Sequence, residues 1–283
     1  MEAGFGFYSE KGQRLKHEAN QTEEMCLEAV REDGLSLKYV KEQTEEMCII
    51  AVKNRGLALG YVKDKTEEIC LISVKQFGLA LNYVENQTEE MCIEAIKNDA
   101  RALRYVKDQT EEMCLIAVRH NPEALEYVRE QTEEMCLIAV KEDSDALQFV
   151  KDQTEEMCLM AVKEDGWALE YVKDQTEEIC WMAVRSVSSS LQYVKNQTEE
   201  ICLEAVRRYG HSIAHVRDQT EEICIEAVKQ NGWALQYVKN QTEEICEIAI
   251  NNPVFTSMYD ALVIDLQMRL QQIRDPEMRN KFL

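Results

Sequence analysis

Apolar and polar positions recur along this chain with a period of 22 residues. In residues 152–173, Thr154, Glu155 and Glu156 precede a segment whose apolar members are Met157, Cys158, Leu159, Ala161 and Val162. Offsets of 3, 4, 7 and 8 from the threonine mark one face of an α-helix; a strand would alternate instead. A second apolar set, Ala168, Leu169 and Val172, lies on one face of a shorter helix over Trp167–Lys173. The pattern therefore predicts a helical hairpin, with a first helix of about 11 residues and a second of about 7.

The polar residues punctuate this pattern. Asp152 or Thr154 caps the first helix: Asp152 would make a capping-box-like pair with Glu155, whereas Thr154 would put both glutamates in the first turn. Nine of the 11 copies have Asn or Asp at the Asp152 position. Gly166 is expected to stop the helix from a left-handed C-terminal position, as are its equivalents Gly34, Gly56, Gly78, Gly210 and Gly232. Pro122 fills that place in the fifth copy and also prevents continuation.

The motif Gln-Thr-Glu-Glu-(Met/Ile)-Cys repeats 11 times without an insertion, its threonine running from Thr22 to Thr242, and the third copy reads Lys65-Thr66 instead of Gln-Thr. A hairpin this small cannot bury its own apolar face, but stacked copies can. The expected fold is all-α: an α-solenoid of eleven 22-residue helical-hairpin repeats with a C-terminal capping helix. Residues 1–19 form a lead-in, 20–253 the solenoid, and 254–283 the helical cap, the last from the longer amphipathic pattern Met258–Leu270. The lead-in offers only Phe5, Phe7, Tyr8 and Leu15, so the N-terminal face is expected to be poorly capped and open to self-association.

The repeat core reads Ala-Val-Lys-x-(Asn/Asp)-Gly-x-Ala-Leu-x-Tyr-Val, as in Ala227–Val238. It resembles the helical repeat family known as domain of unknown function 4116, abundant in giant DNA viruses of amoebae and also seen in some bacteria. The resemblance covers about residues 20–250, and the Gln-Thr-Glu-Glu-Ile-Cys blocks look especially like the mimivirus-group versions. It implies a helical repeat fold, a viral source, and a place in the host cytoplasm or the virion. It brings no enzymatic activity and no catalytic residue.

Composition removes whole classes of function. With 53 acidic and 32 basic residues the net charge is −21, which argues against direct binding of nucleic acid, because phosphate contacts need clustered Lys and Arg. At 45% apolar residues the chain has enough to bury to be folded. No stretch approaches 18 consecutive apolar residues, so no membrane partner is expected, and residues 1–19 lack the apolar core of a secretory signal. The charge is also localised. Eleven Glu-Glu pairs hold 22 of the acidic residues, and the rest of the chain, with 31 acidic and 32 basic, is close to neutral.

Three sets of residues could carry chemistry. The 11 cysteines, Cys26 to Cys246, stand one per repeat. Stacked helices lie ~9–10 Å apart, too far for disulfides, and a lone cysteine per repeat lacks the paired spacing of structural zinc. The buried offset makes each a small core hydrophobe. His211 and His215, four residues apart, have no carboxylate or cysteine partner and are a weak metal signal. The expectation is therefore no metal and no cofactor. The glutamate pairs suit helix starts, where the dipole favours negative charge. They also form a candidate acidic edge for a basic partner, represented by Glu23, Glu24, Glu111, Glu112, Glu199 and Glu200.

Variation between copies concentrates at the turn between the two helices. The candidate partner-binding ridge there comprises Arg55, Phe77, Arg101, Trp167, Tyr209, His211 and Trp233, residue types that anchor protein interfaces. Trp181, by contrast, falls at an interior Leu/Ile position and is expected in the core. The function expected from these features is a non-enzymatic scaffold that contacts a protein partner. The alternatives are a structural virion or assembly component, and an acidic decoy that binds basic nucleic-acid-binding proteins.

Overall fold

The computed structural model describes residues 10–253, and the helical cap expected over 254–283, like Phe5, Phe7 and Tyr8, lies outside the described residues. The repeats are numbered 1 to 11 by their threonines, Thr22 to Thr242. Two compact units divide the chain, Met1–Glu142 and Asp143–Leu283. The first holds a lead-in helix, repeats 1–5 and the α-helix of repeat 6. The second holds the short helix of repeat 6, repeats 7–10 and the α-helix of repeat 11.

Each unit is a tandem stack of two layers, an expected α-solenoid arrangement. One layer consists of ten-residue α-helices such as Glu45–Asn54, Glu67–Gln76 and Glu155–Glu164. Threonine rather than the Asn/Asp two residues earlier caps them. From Thr22 to Thr242, each threonine Oγ1 accepts the N–H three residues on, at 3.3–3.4 Å. Both glutamates consequently occupy the first turn, beside the positive end of the helix dipole.

The second layer differs from expectation. Its helices, such as Gly56–Tyr61 and Gly166–Tyr171, are six-residue 3₁₀ helices, not short α-helices. Their bonds run from residue i+3 to i, as from Ala168 N to Asp165 O at 3.0 Å. Three residues per turn stack positions i and i+3, so Gly166 and Leu169 share the buried edge while Trp167 and Glu170 share the outer one.

The glycines do not stop the α-helix from a left-handed conformation. None of Gly34, Gly56, Gly78, Gly166 and Gly210 has a φ in that region. The helix ends one residue earlier, where Asp165 turns extended at φ −135°, ψ 113°. Glycine is there for close approach: a Cβ on Gly166 would lie 2.4 Å from the carbonyl oxygen of Ala183 in the next repeat.

The core runs between the layers. Offsets 3, 4, 7 and 8 of each α-helix are buried except at the exposed Met25 of repeat 1, as with Met157, Cys158, Ala161 and Val162, and face Ala168, Leu169 and Val172 of the 3₁₀ layer. Trp181 is not in that core. It sits one position past the buried Cys180, about 100° further round the helix, and is half-exposed. At the N-terminus the lead-in helix Glu10–His17 packs on repeat 1, burying Leu15 and pairing Lys11 with Glu28 at 2.9 Å. The lead-in thus covers part of the face that its sparse apolar residues suggested would be bare.

Candidate functional site

Two kinds of repeated side chain lie between successive repeats, and both have structural roles. The glutamine before each capping threonine is a clamp. Gln109 Nε2 donates to Leu103 O at 3.1 Å in the preceding repeat and to Tyr127 O at 2.9 Å at the end of its own, while its Oε1 accepts Arg129 N at 3.0 Å. Gln43, Gln153, Gln175, Gln197 and Gln219 make the same three bonds. The cysteine thiol lies against the same Oε1, 3.8 Å away in Cys114.

The cation that follows the 3₁₀ helix in most repeats reaches back to carbonyls at the end of the preceding one. Arg129 donates to Lys107 O at 2.6 Å and Val106 O at 2.9 Å, and Arg217 does the same to Lys195 O and Val194 O. These carbonyls lack partners within their own helix, so the next repeat's cation caps them.

The cysteines are all unpaired and buried. Burial pushes the Cys202 thiol up to about 11, with the nearby Arg217 guanidinium pulling weakly the other way. A folded value above the unfolded one means the protonated thiol stabilises the fold below about pH 9, the ordinary thiol value here, and that this contribution is lost as pH rises through about 11. Native protein at pH 8 is therefore expected to leave Cys202 unalkylated by iodoacetamide for hours, with full labelling in denaturant. Rapid native labelling, read by peptide mass spectrometry, would contradict this environment.

The acidic-edge residues Glu23, Glu24, Glu111, Glu112, Glu199 and Glu200 are all exposed at helix starts. Other members of the row are matched by cations ending the α-helix one repeat earlier: Arg31 with Glu46 at 3.9 Å, Lys75 with Glu90, Arg119 with Glu134, and Arg207 with Glu222, each at 3.7 Å. Such exposed pairs add little stability, but they dilute the acidic field. Half-exposed Trp181 lies at this edge, in an open hollow of about 710 Å³ with Glu177, Glu178, Met182 and Arg185.

The ridge residues lie on the outer edge of the 3₁₀ layer. The residue preceding each 3₁₀ helix usually caps it: Asp33, Asp99, Asn121, Asp143, Asp165 and Asn231 each accept the N–H two residues on. Arg55, Phe77, Val187 and Tyr209 take that place without a capping bond. Arg55 is exposed and pairs with Asp33 of the preceding repeat at 3.1 Å, Phe77 is half-exposed, and Arg101 is exposed and bonds its own Asp99 at 2.7 Å.

In the second unit, Trp167 meets Tyr193 edge-on at 5.9 Å. Tyr209 stacks on His211 at 5.2 Å, and His211 meets Tyr237 at 5.7 Å. Trp233 is half-exposed on the same layer. His211 is thus part of an aromatic cluster, and among the described residues no group of three or more His, Cys, Asp or Glu is placed to hold a metal.

Sequence comparison missed the tyrosines. Tyr39, Tyr61, Tyr83, Tyr105 and Tyr127 of the first unit, and Tyr171, Tyr193 and Tyr237 of the second, end their 3₁₀ helices on this outer edge. They link successive repeats: Lys38 lies over Tyr39 and Tyr61, and the Arg104 guanidinium sits 5.7 Å from the Tyr105 ring and 4.5 Å from that of Tyr127. Their near-constancy from copy to copy hides them from a comparison that looks for variable positions, and the eclipsed geometry of the 3₁₀ helix is what places them on the outer edge.

Comparison with known proteins agrees with this repeat geometry. A family model described as a domain of unknown function (DUF4116) matches residues 22–66, 66–110, 88–132, 132–175 and 198–242, well over half of the chain. Each matched segment spans two of the 22-residue repeats, with edges at or beside the capping threonines. No curated protein and no solved structure shows significant similarity. Among the described residues no helix is long and apolar enough to cross a membrane.

Proposed function

We propose that this chain, which belongs to the family described as a domain of unknown function (DUF4116), is a non-enzymatic scaffold that holds protein partners along its 3₁₀ layer. One observation carries the reading. Of the six large apolar side chains exposed among the described residues, five (Leu57, Tyr83, Trp167, Tyr209 and Tyr237) lie on that layer. Aromatic side chains interleaved with arginine and lysine are the composition of interface anchors.

The forgone caps point the same way. Where a local rule is broken in an otherwise regular repeat, the compensating gain is sought in function. Arg55, Phe77 and Tyr209 stand where Asp or Asn would satisfy the helix start, a loss of about 0.5–2 kcal/mol by analogy with α-helix caps. The side chains with catalytic potential already have structural work: thiols are buried against glutamine, and glutamate pairs lie at helix starts. The family resemblance makes an amoeba infected by a giant virus, in its cytoplasm or in the virion, the setting in which to seek the partner.

The test is affinity purification from such cells with the wild-type chain and with a variant carrying Phe77→Ala, Trp167→Ala, Tyr209→Ala and Trp233→Ala. Circular dichroism first establishes that the variant is folded. A drop of tenfold or more in specific partners is expected. Retention of every partner at wild-type level would refute the proposal.

A further inference from the structure

One interface in the first unit lacks the devices that join the others. Repeat 3 has Lys65 in place of the clamping glutamine, and repeat 3 ends in Glu85 in place of the reach-back cation. The Gln43 clamp holds Tyr61 O and Lys63 N, and the Gln87 clamp holds Tyr105 O and Lys107 N. Between them, no side-chain hydrogen bond joins Lys65 to Tyr83 O or Glu85 N. The Cys48 and Cys92 thiols lie 3.6 and 3.7 Å from their glutamine oxygens, and Cys70 has no such oxygen beside it. The Lys41 and Glu85 carbonyls are held by Lys63 and Lys107, but Glu85 cannot donate to the Lys63 carbonyl.

The packing differs in the same place. The crevice lined by Lys65, Cys70, Val84, Glu85 and Met91 measures about 540 Å³. Its equivalent at Cys114 and Met135 measures about 420 Å³, and that at Cys180 and Ile201 about 440 Å³.

We infer that the seam at Lys65 and Glu85, where the chain from Leu59 to Cys70 (end of repeat 2, start of repeat 3) meets the chain from Tyr83 to Met91 (end of repeat 3, start of repeat 4), is a built-in joint at which the first unit opens ahead of its other interfaces. A repeat stack holds together by a sum of intrinsic and nearest-neighbour terms, so it parts first where the neighbour term is smallest. This joint lacks the two clamp bonds to Tyr83 O and Glu85 N, the clamp bond back to Leu59 O in repeat 2, and the reach-back bond to Lys63 O. Opening changes the spacing between Leu57 on one side and Phe77 and Tyr83 on the other, so the docking layer adjusts there. The opening itself does not depend on what the layer binds, and its test is independent of any partner.

The thiols report it, because each repeat carries one buried cysteine and labelling requires the local structure to open. The full-length protein is pulsed with N-ethylmaleimide and the cysteine-containing peptides are followed by mass spectrometry. Cys70 is expected to react roughly tenfold or more faster than Cys48 and Cys92. Lys65→Gln, which restores the clamp, is expected to bring Cys70 to its neighbours' rate. Lys65→Met removes the ammonium near the thiol without restoring the clamp, and is expected to leave Cys70 fast. Equal rates in the wild type, no slowing in Lys65→Gln, or slowing to the neighbours' rate in Lys65→Met would each overturn the proposal, the last by tracing the reactivity to the lysine charge.

Discussion

Replacing Gln109 with alanine is expected to cost the first unit about 2–4 kcal/mol, far more than an ordinary surface substitution. The side chain is partly buried and satisfies Leu103 O, Tyr127 O and Arg129 N together. Alanine takes the clamp bond from Tyr127 O and Arg129 N, while Leu103 O keeps the Val106 N–H at 3.1 Å; each abandoned buried group costs about 1–3 kcal/mol, and water recovers part of that at the exposed rim. Gln109→Glu keeps the acceptor for Arg129 N, but it removes the donor and sets a carboxylate against two carbonyls, so it is expected to be no better than alanine. Urea unfolding followed by circular dichroism, with hydrogen exchange to localise the loss, measures both. A change below about 0.5 kcal/mol in either variant would mean that the clamp is geometry without energy.

That role could not be read from the chain. Ten of eleven repeats place glutamine just before the capping threonine, but a polar residue beside a cap looks like part of the turn. Two of its three partners belong to backbone 18 and 20 residues away, and no local periodicity reveals them. What was legible depended on contacts inside one helix. The offsets 3, 4, 7 and 8 name the buried face of every repeat but the first, where Met25 is exposed, the threonine is one of two proposed caps, and the cysteine ladder reads as packing, as its burial bears out.

The short second helix was misread because Ala168, Leu169 and Val172 fit a 3.6-residue period and a 3.0-residue period equally well over six residues. Variation between copies located the turn ridge, but it hid the tyrosines beside it, since a side chain that is both half-packed and half-exposed varies little. Trp181 failed for a related reason: the position is apolar in most copies, such as Leu115 and Leu159, yet it lies on the shoulder of the helix and is half-exposed in every copy but that of the buried Leu203.

Glycine supplies the sharpest contrast between the two readings, because they order the same substitutions oppositely. A left-handed helix stop would tolerate Gly78→Asn better than Gly78→Ala, asparagine being the non-glycine residue most at ease there. Gly78 has no such conformation, and a Cβ on it would fall 2.3 Å from Ala95 O and 3.1 Å from Asp99 N in the next repeat. The obstacle is therefore volume, and the larger side chain should be worse. The stack can yield somewhat, since Ala100, Pro122, Ser144 and Ser188 occupy the equivalent position in other repeats. Gly78→Ala is accordingly expected to cost about 1–3 kcal/mol, the usual toll of overpacking, and Gly78→Asn more than about 3 kcal/mol. Because the added atoms push on the carbonyl of Ala95, the loss should show in exchange of the amides of repeat 4, where Asp99 N bonds Ala95 O at 2.9 Å. Urea midpoints that ranked asparagine above alanine would restore the left-handed stop and remove close approach as the reason for glycine at this turn.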